Sequence, residues 1–149
     1  MNLGVNNKPL SRTLKQVGVP VGNKVLSSFS IPYWILTNKL FFSYFINRLI
    51  SCEGNVDLFS KCIELRMHKS LDKIDDGMKF FEDIKNHLEL YFNVKSTRPF
   101  LTGDTNTRKD GIKTKGIRIK IKRKESLVRF KKYINIENKE KRERLRKIC

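Results

Sequence analysis

Residues 50–56 read ISCEGNV, and they close the apolar run WILTNKLFFSYFINRLI of residues 34–50. The run reads as a helix entering a core, from about Thr37 or Asn38 to Cys52, with Gly54 as its natural C-cap. Glu53 stands at the wrong end for an acid. A helix C-terminus carries partial negative charge, so a carboxylate there needs a cation, a metal or solvent beside it. The residues that follow set the fold, and Glu53 sets the functional question.

Downstream, CIELRMH at 62–68 alternates as a half-buried strand does, with Ile63, Leu65 and Met67 on one face and Cys62, Glu64, Arg66 and His68 on the other. Leu71, Ile74, Met78, Phe81, Ile84, Leu88 and Tyr91 then recur at helical spacing, which predicts a core-facing helix capped by Asn93. VKSTRPFL at 94–101 reads as a less regular strand whose Pro99 marks an edge or an end. TGDTNTRKDG at 102–111 reads as a turn-rich connector without an apolar anchor. The clearest strand is GIRIKIKR at 116–123, where Ile117, Ile119 and Ile121 face one way and Arg118, Lys120 and Lys122 the other. A helix around Lys124 to Ile134 and the charged helix NKEKRERLRKI at 138–148 complete the pattern.

From residue 37 to 149 the order is helix, strand, strand, helix, strand, strand, helix. This predicts an α+β domain whose antiparallel sheet packs one face on helices and leaves the other basic. Residues 1–36 form a separate N-terminal helical segment. Its helix starts near Pro9, carries Leu10, Leu14 and Val17 on one face, and stops at Gly18 and Pro20.

The chain has 149 residues, enough for one compact core. Lys and Arg total 32 against 15 Asp and Glu, and the excess is lopsided: +14 of the +17 lies in the last 56 residues. A one-sided field of that size points to a polyanion, either nucleic acid or an acidic membrane surface. Lys39, Asn47 and Arg48 interrupt the longest apolar run, which is too short to span a membrane. MNLGVNNKPLSR at 1–12 has no apolar core of a signal peptide, so an intracellular, cytoplasmic location is expected. Cys52, Cys62 and Cys149 form no CxxC pair, and His68 and His87 stand at no metal-ligand spacing from them, which argues against a disulfide framework and structural zinc.

A sheet presenting Arg66, Arg118, Lys120 and Lys122, extended by Arg98, Lys113 and Lys115, matches a β-saddle laid into the major groove of double-stranded DNA. No aromatics are interleaved with these cations, which disfavours a stacking platform for single strands.

The helix ending INRLISCEG at 46–54, followed by two strands, a long helix, two strands and a helix ending KYINIENKEKRERL, resembles the LAGLIDADG homing endonuclease family. Upstream, LKQVGVPVGNK with IPYWI resembles the end of a first repeat in two-motif archaeal members. The resemblance implies an αββαββα unit that binds DNA on its sheet. It also implies two such helices packed side by side, with terminal acids holding Mg²⁺ for phosphodiester cleavage. On that reading Glu53, with Gly54 behind it, belongs to the metal site. Lys120 or Lys122 stabilises the transition-state charge, and Tyr44, Arg48 and Cys52 form the helix interface. Cys52 suits close packing, whereas Arg48 would be buried unpaired or hold the helices apart. The family's earlier motif acid is replaced by Ser51. One acid is not a two-metal site, so the resemblance implies a homodimer or a truncated two-motif protein partnered by a second LAGLIDADG-bearing chain. A non-catalytic transcriptional regulator or RNA-splicing maturase is the alternative.

Overall fold

The computed structural model describes residues 8–20 and 22–149, so residues 1–7, read above for a leader, lie outside it. Two helices lead the chain, α1 (Lys8–Gln16) and the single turn α2 (Tyr33–Leu36). The chain continues as α3 (Lys39–Glu53), β1 (Gly54–Asp57), β2 (Cys62–Ser70), α4 (Ile74–Phe92), β3 (Phe100–Thr107), β4 (Lys113–Ile121), α5 (Lys124–Tyr133) and α6 (Lys139–Ile148), and Ile31 from the N-terminal segment is buried in the same core. The strands form one antiparallel sheet in the order β1-β2-β4-β3, so the architecture is α+β.

Asn38 starts α3, its side chain accepting the amides of Leu40 and Phe41. Phe42, Ile46 and Ile50 recur four residues apart and are buried. They meet Ile63, Leu65, Ile117, Ile119 and Ile121 of the sheet and Phe81, Ile84 and Leu88 of α4 in one core. The expected alternation of β2 and β4 is thus observed, with the isoleucine face inward. Asn93 caps α4 in the left-handed region, φ 52°. Leu71, counted above with the core face, lies in the 3₁₀ turn Leu71–Lys73 ahead of α4 and is exposed.

The expected C-cap is observed, and two other expectations are corrected. Gly54 holds the C-cap position in extended conformation, φ −76° and ψ 157°, and opens β1 directly. Glycine is needed there because a Cβ would lie 2.8 Å from the carbonyl oxygen of Ile50. The third strand is Phe100–Thr107, so the connector TGDTNT is largely strand and residues 94–99 are not. It is an edge strand, exposed nearly throughout and held by backbone pairing with β4 across an irregularity between Leu101 and Thr105. Nothing demands apolar alternation of such a strand. Finally, Lys113 and Lys115 share odd parity with Ile117, Ile119 and Ile121 in an unbroken register. The pleat puts them on the face opposite Arg118 and Lys120.

Candidate nucleic-acid interface

The helices pack on the isoleucine face, and the pleat leaves a second face open. Across β1, β2 and β4, Asn55 pairs with Glu64 and Glu64 with Lys120, Arg66 pairs with Arg118, and His68 pairs with Gly116. Arg66 and Arg118 are therefore directly opposed like charges, an unfavourable pairing on its own. Glu64 offsets it, lying 2.8 Å from Lys120 Nζ and 3.7 Å from Arg118 Nη1. One carboxylate does not satisfy the group: Arg118 Nε is buried and has no acceptor among the described residues. Burial pushes the His68 imidazole below its ordinary value, and Arg66 and Arg118 push it further the same way. His68 is therefore neutral near pH 7, on a face that already repels a proton.

The remaining predicted contacts are placed as follows. Exposed Arg98 follows Thr97, whose amide donates to Lys120 O at 2.8 Å and whose hydroxyl accepts from Lys120 N at 3.0 Å. Phe100, partly exposed, pairs with Arg118, so an aromatic does stand beside the cations. Sequence reading placed the strand at 94–101, six residues too early, and so did not set Phe100 opposite Arg118. Lys122 lies beyond the end of β4, and Lys120 is engaged by Glu64, so neither is beside Glu53 in the strand register.

Glu53 ends α3 half-exposed, and a cation does compensate it: Lys24 Nζ lies 2.5 Å from Oε1. Lys24 is held there from below. Lys69 is fully buried, and its Nζ donates to the carbonyls of Lys24 at 2.6 Å and Ser27 at 2.7 Å and lies over the Phe29 ring. Ser70 N donates to Val25 O, and Ser28 Oγ to Asp76 Oδ2. Residues 24–28 thus form a strap across β2 and α4. A cavity of about 140 Å³ lies beside it, lined by Phe29, Leu49, Met67 and Phe80 with Lys24 and Glu53 also contributing.

The far side of the same helix end is held by α6. Lys141 Nζ donates to the carbonyls of Ile50 and Ser51 at 3.1 and 2.8 Å, where the helix carries its partial negative charge. Ser51 Oγ accepts the amide of Glu137 at 3.2 Å, and Asn47 Oδ1 accepts the same amide at 3.0 Å. Ser51, where the motif would carry an acid, is thus a structural hydroxyl. Arg48 is neither buried nor unpaired within the chain; it is exposed and meets Glu137 at 2.5 Å. Tyr44, Arg48 and Cys52 form an exposed stripe on α3, beside exposed Leu40 and Phe41.

Glu53 is engaged by Lys24, and among the described residues no three of His, Cys, Asp and Glu converge on a metal-sized site. Among the described residues, too, no helix is long and apolar enough to cross a membrane.

No family model matches the chain. Over 97 residues, 62 % of its length, it is 32 % identical to the replication factor C small subunit of Methanocaldococcus jannaschii. The chain spans only 5 % of that relative's length.

Proposed function

We propose that the chain is a LAGLIDADG-type DNA-binding domain that grips double-stranded DNA with the open face of its sheet. On this reading cleavage takes place only where a second copy, or a second LAGLIDADG-bearing chain, brings another carboxylate to Glu53. The observation that carries the proposal is the cationic pair Arg66 and Arg118, opposed on a helix-free face where Glu64, already bound to Lys120, is their one nearby carboxylate among the described residues. Phosphate or a base edge supplies what the fold leaves out, since Arg bonds acceptors in the major groove and on the backbone alike. The αββαββα order and the acid-glycine helix end support the same reading. The match to a short stretch of a much longer protein supports a self-contained module, and the relative's name, a replication factor, accords with a DNA-associated, intracellular role.

Mg²⁺ belongs to the proposed paired assembly, because a hard cation needs several oxygen ligands and one chain offers a single engaged carboxylate. A second reading, a non-catalytic regulator or maturase, is favoured by the Lys24–Glu53 pair, which neutralises the candidate ligand internally.

Duplex binding titrated at two salt concentrations tests the grip. Affinity falls steeply with salt, and Arg66→Gln with Arg118→Gln removes most of it. Retention of wild-type affinity by that variant would place DNA elsewhere. Cleavage of a randomised target library by wild type and Glu53→Gln, in Mg²⁺ and in EDTA, separates the two readings. Cutting by wild type in Mg²⁺ alone supports the nuclease, and binding without cutting by either protein supports the regulator.

A further inference from the structure

The β1–β2 turn, the end of β4, the start of α5 and the end of α6 meet around a cavity of about 280 Å³. Lys61, Lys122, Lys124 and Lys147 line it, one from each of these places, over Leu127 and Ile148. Among the described residues none of the four is in an ion pair. Glu125, in the first turn of α5, pairs with none of them. Four lysines that line one hollow concentrate positive charge there, and an anion seated in it would relieve their mutual repulsion.

Two features say what kind of anion. The first turn of α5 has no side-chain cap, so its amides add partial positive charge at this corner. The turn that carries Lys61, itself held in the left-handed region at φ 46°, also presents Phe59, 97 % exposed, beside partly exposed Leu58. An apolar tip next to unpaired lysines suits a ligand with both a phosphate and a flat or apolar body. Nucleic acid has that chemistry, whereas inorganic phosphate lacks the second part.

We propose that this cavity seats a backbone phosphodiester where DNA lying on the sheet runs off the end of β4. The proposal rests on the sheet reading above and adds a contact at the opposite end of β1 from Glu53. Four strand residues separate the two, about 13 Å at the usual rise per residue. Lys122 thereby changes role, from a candidate catalytic lysine to a phosphate ligand at the corner.

The experiment compares wild type, Lys124→Gln with Lys147→Gln, and a charge-matched control, Lys8→Gln with Lys15→Gln, both on exposed α1. Long-duplex affinity is measured across a salt series, with thermal melts to confirm that all three fold. The cavity variant is expected to lose about tenfold in affinity and to flatten the slope of log K against log salt by about one to two, as loss of one or two phosphate contacts requires. The control stays near wild type. Equal losses in the two variants, or none in the cavity variant, overturn the proposal. The sheet variant Arg66→Gln with Arg118→Gln separates the two readings: if it binds like wild type while the cavity variant does not, the sheet reading fails and the cavity stands. If no protein binds DNA, titration with inorganic tripolyphosphate followed by ³¹P NMR decides. Saturable binding lost in the cavity variant shows an anion seat but overturns its assignment to DNA, and absence of binding overturns the proposal altogether.

Discussion

Lys69 has no exposed surface, yet it carries an ammonium group. The fold tolerates this because two backbone carbonyls and the face of Phe29 replace water around Nζ. Lys69→Met removes the donor and leaves the carbonyls of Lys24 and Ser27 to find water or go without, an expected loss of about 2 kcal/mol in urea denaturation. Burial holds the folded-state pKa of Lys69 below the ordinary lysine value, with nearby Asp76 partly opposing. Between the folded and unfolded pKa values the unfolded chain binds more protons, so the contribution of Lys69 to stability rises with pH there. The stability gap between wild type and Lys69→Met therefore widens as pH rises toward the ordinary lysine value of about 10; a gap that narrows contradicts the buried-cation account. His68 works in the opposite sense for binding. Its pKa lies below the ordinary value in the free protein, and a bound phosphate raises it, so binding takes up a proton. DNA affinity is expected to rise several-fold as pH falls from about 7.5 to 5.5, and His68→Gln to flatten that dependence. An unchanged pH profile in the variant removes His68 from the interface.

Among the elements, two glycines are fixed by neighbours and not by unusual backbone angles. In α4 a Cβ on Gly77 would lie 2.3 Å from Cδ1 of Ile117, which is fully buried and has nowhere to move. At Gly54 the obstacle is the Ile50 backbone itself. Gly77→Ala gains about 1 kcal/mol of helix propensity but loses more to overpacking, a net cost of about 1 to 2 kcal/mol. Gly54→Ala is expected to cost more, because a carbonyl cannot yield as a methyl can. Chemical denaturation ranks the two, and a stabilised Gly77→Ala would disprove the close helix-sheet approach. The same distinction between what burial writes into sequence and what it does not explains which elements were legible. The alternations at 63–67 and 117–121 and the helical spacing in α3 and α4 are burial patterns, so they could be read directly. The edge strand β3 satisfies its backbone through β4 and buries almost nothing, leaving no periodic signature. The open-face cations Arg66, Arg118 and Lys120 were legible by parity, whereas Lys113 and Lys115 were put on the wrong face because the strand was read only from Gly116 and not from Lys113. The lysine cavity was not legible, since its four members are 86 positions apart from first to last.

For the molecule as a whole, the exposed face of α3 bears on assembly. Leu40, Phe41 and Tyr44 are exposed, and Arg48 is drawn toward Glu137 at one margin of the stripe. With Arg48 so engaged, a second copy can approach along α3 as the proposed paired assembly requires. Sedimentation velocity is expected to show reversible dimers for wild type and monomers for Phe41→Asp with Tyr44→Asp; dimers that persist in the variant lie on another surface. The end of that helix has a further property. Lys24 reaches Glu53 from 29 residues upstream, and Lys141 reaches the Ser51 carbonyl from 90 residues downstream. The corner that carries the candidate acid is therefore a seam where early and late parts of the chain are sewn together. During synthesis it stays open until α6 has emerged from the ribosome, so a nascent or prematurely terminated chain exposes an unclasped helix end. Opening of this corner therefore requires both clasps to be released, one from each end of the chain.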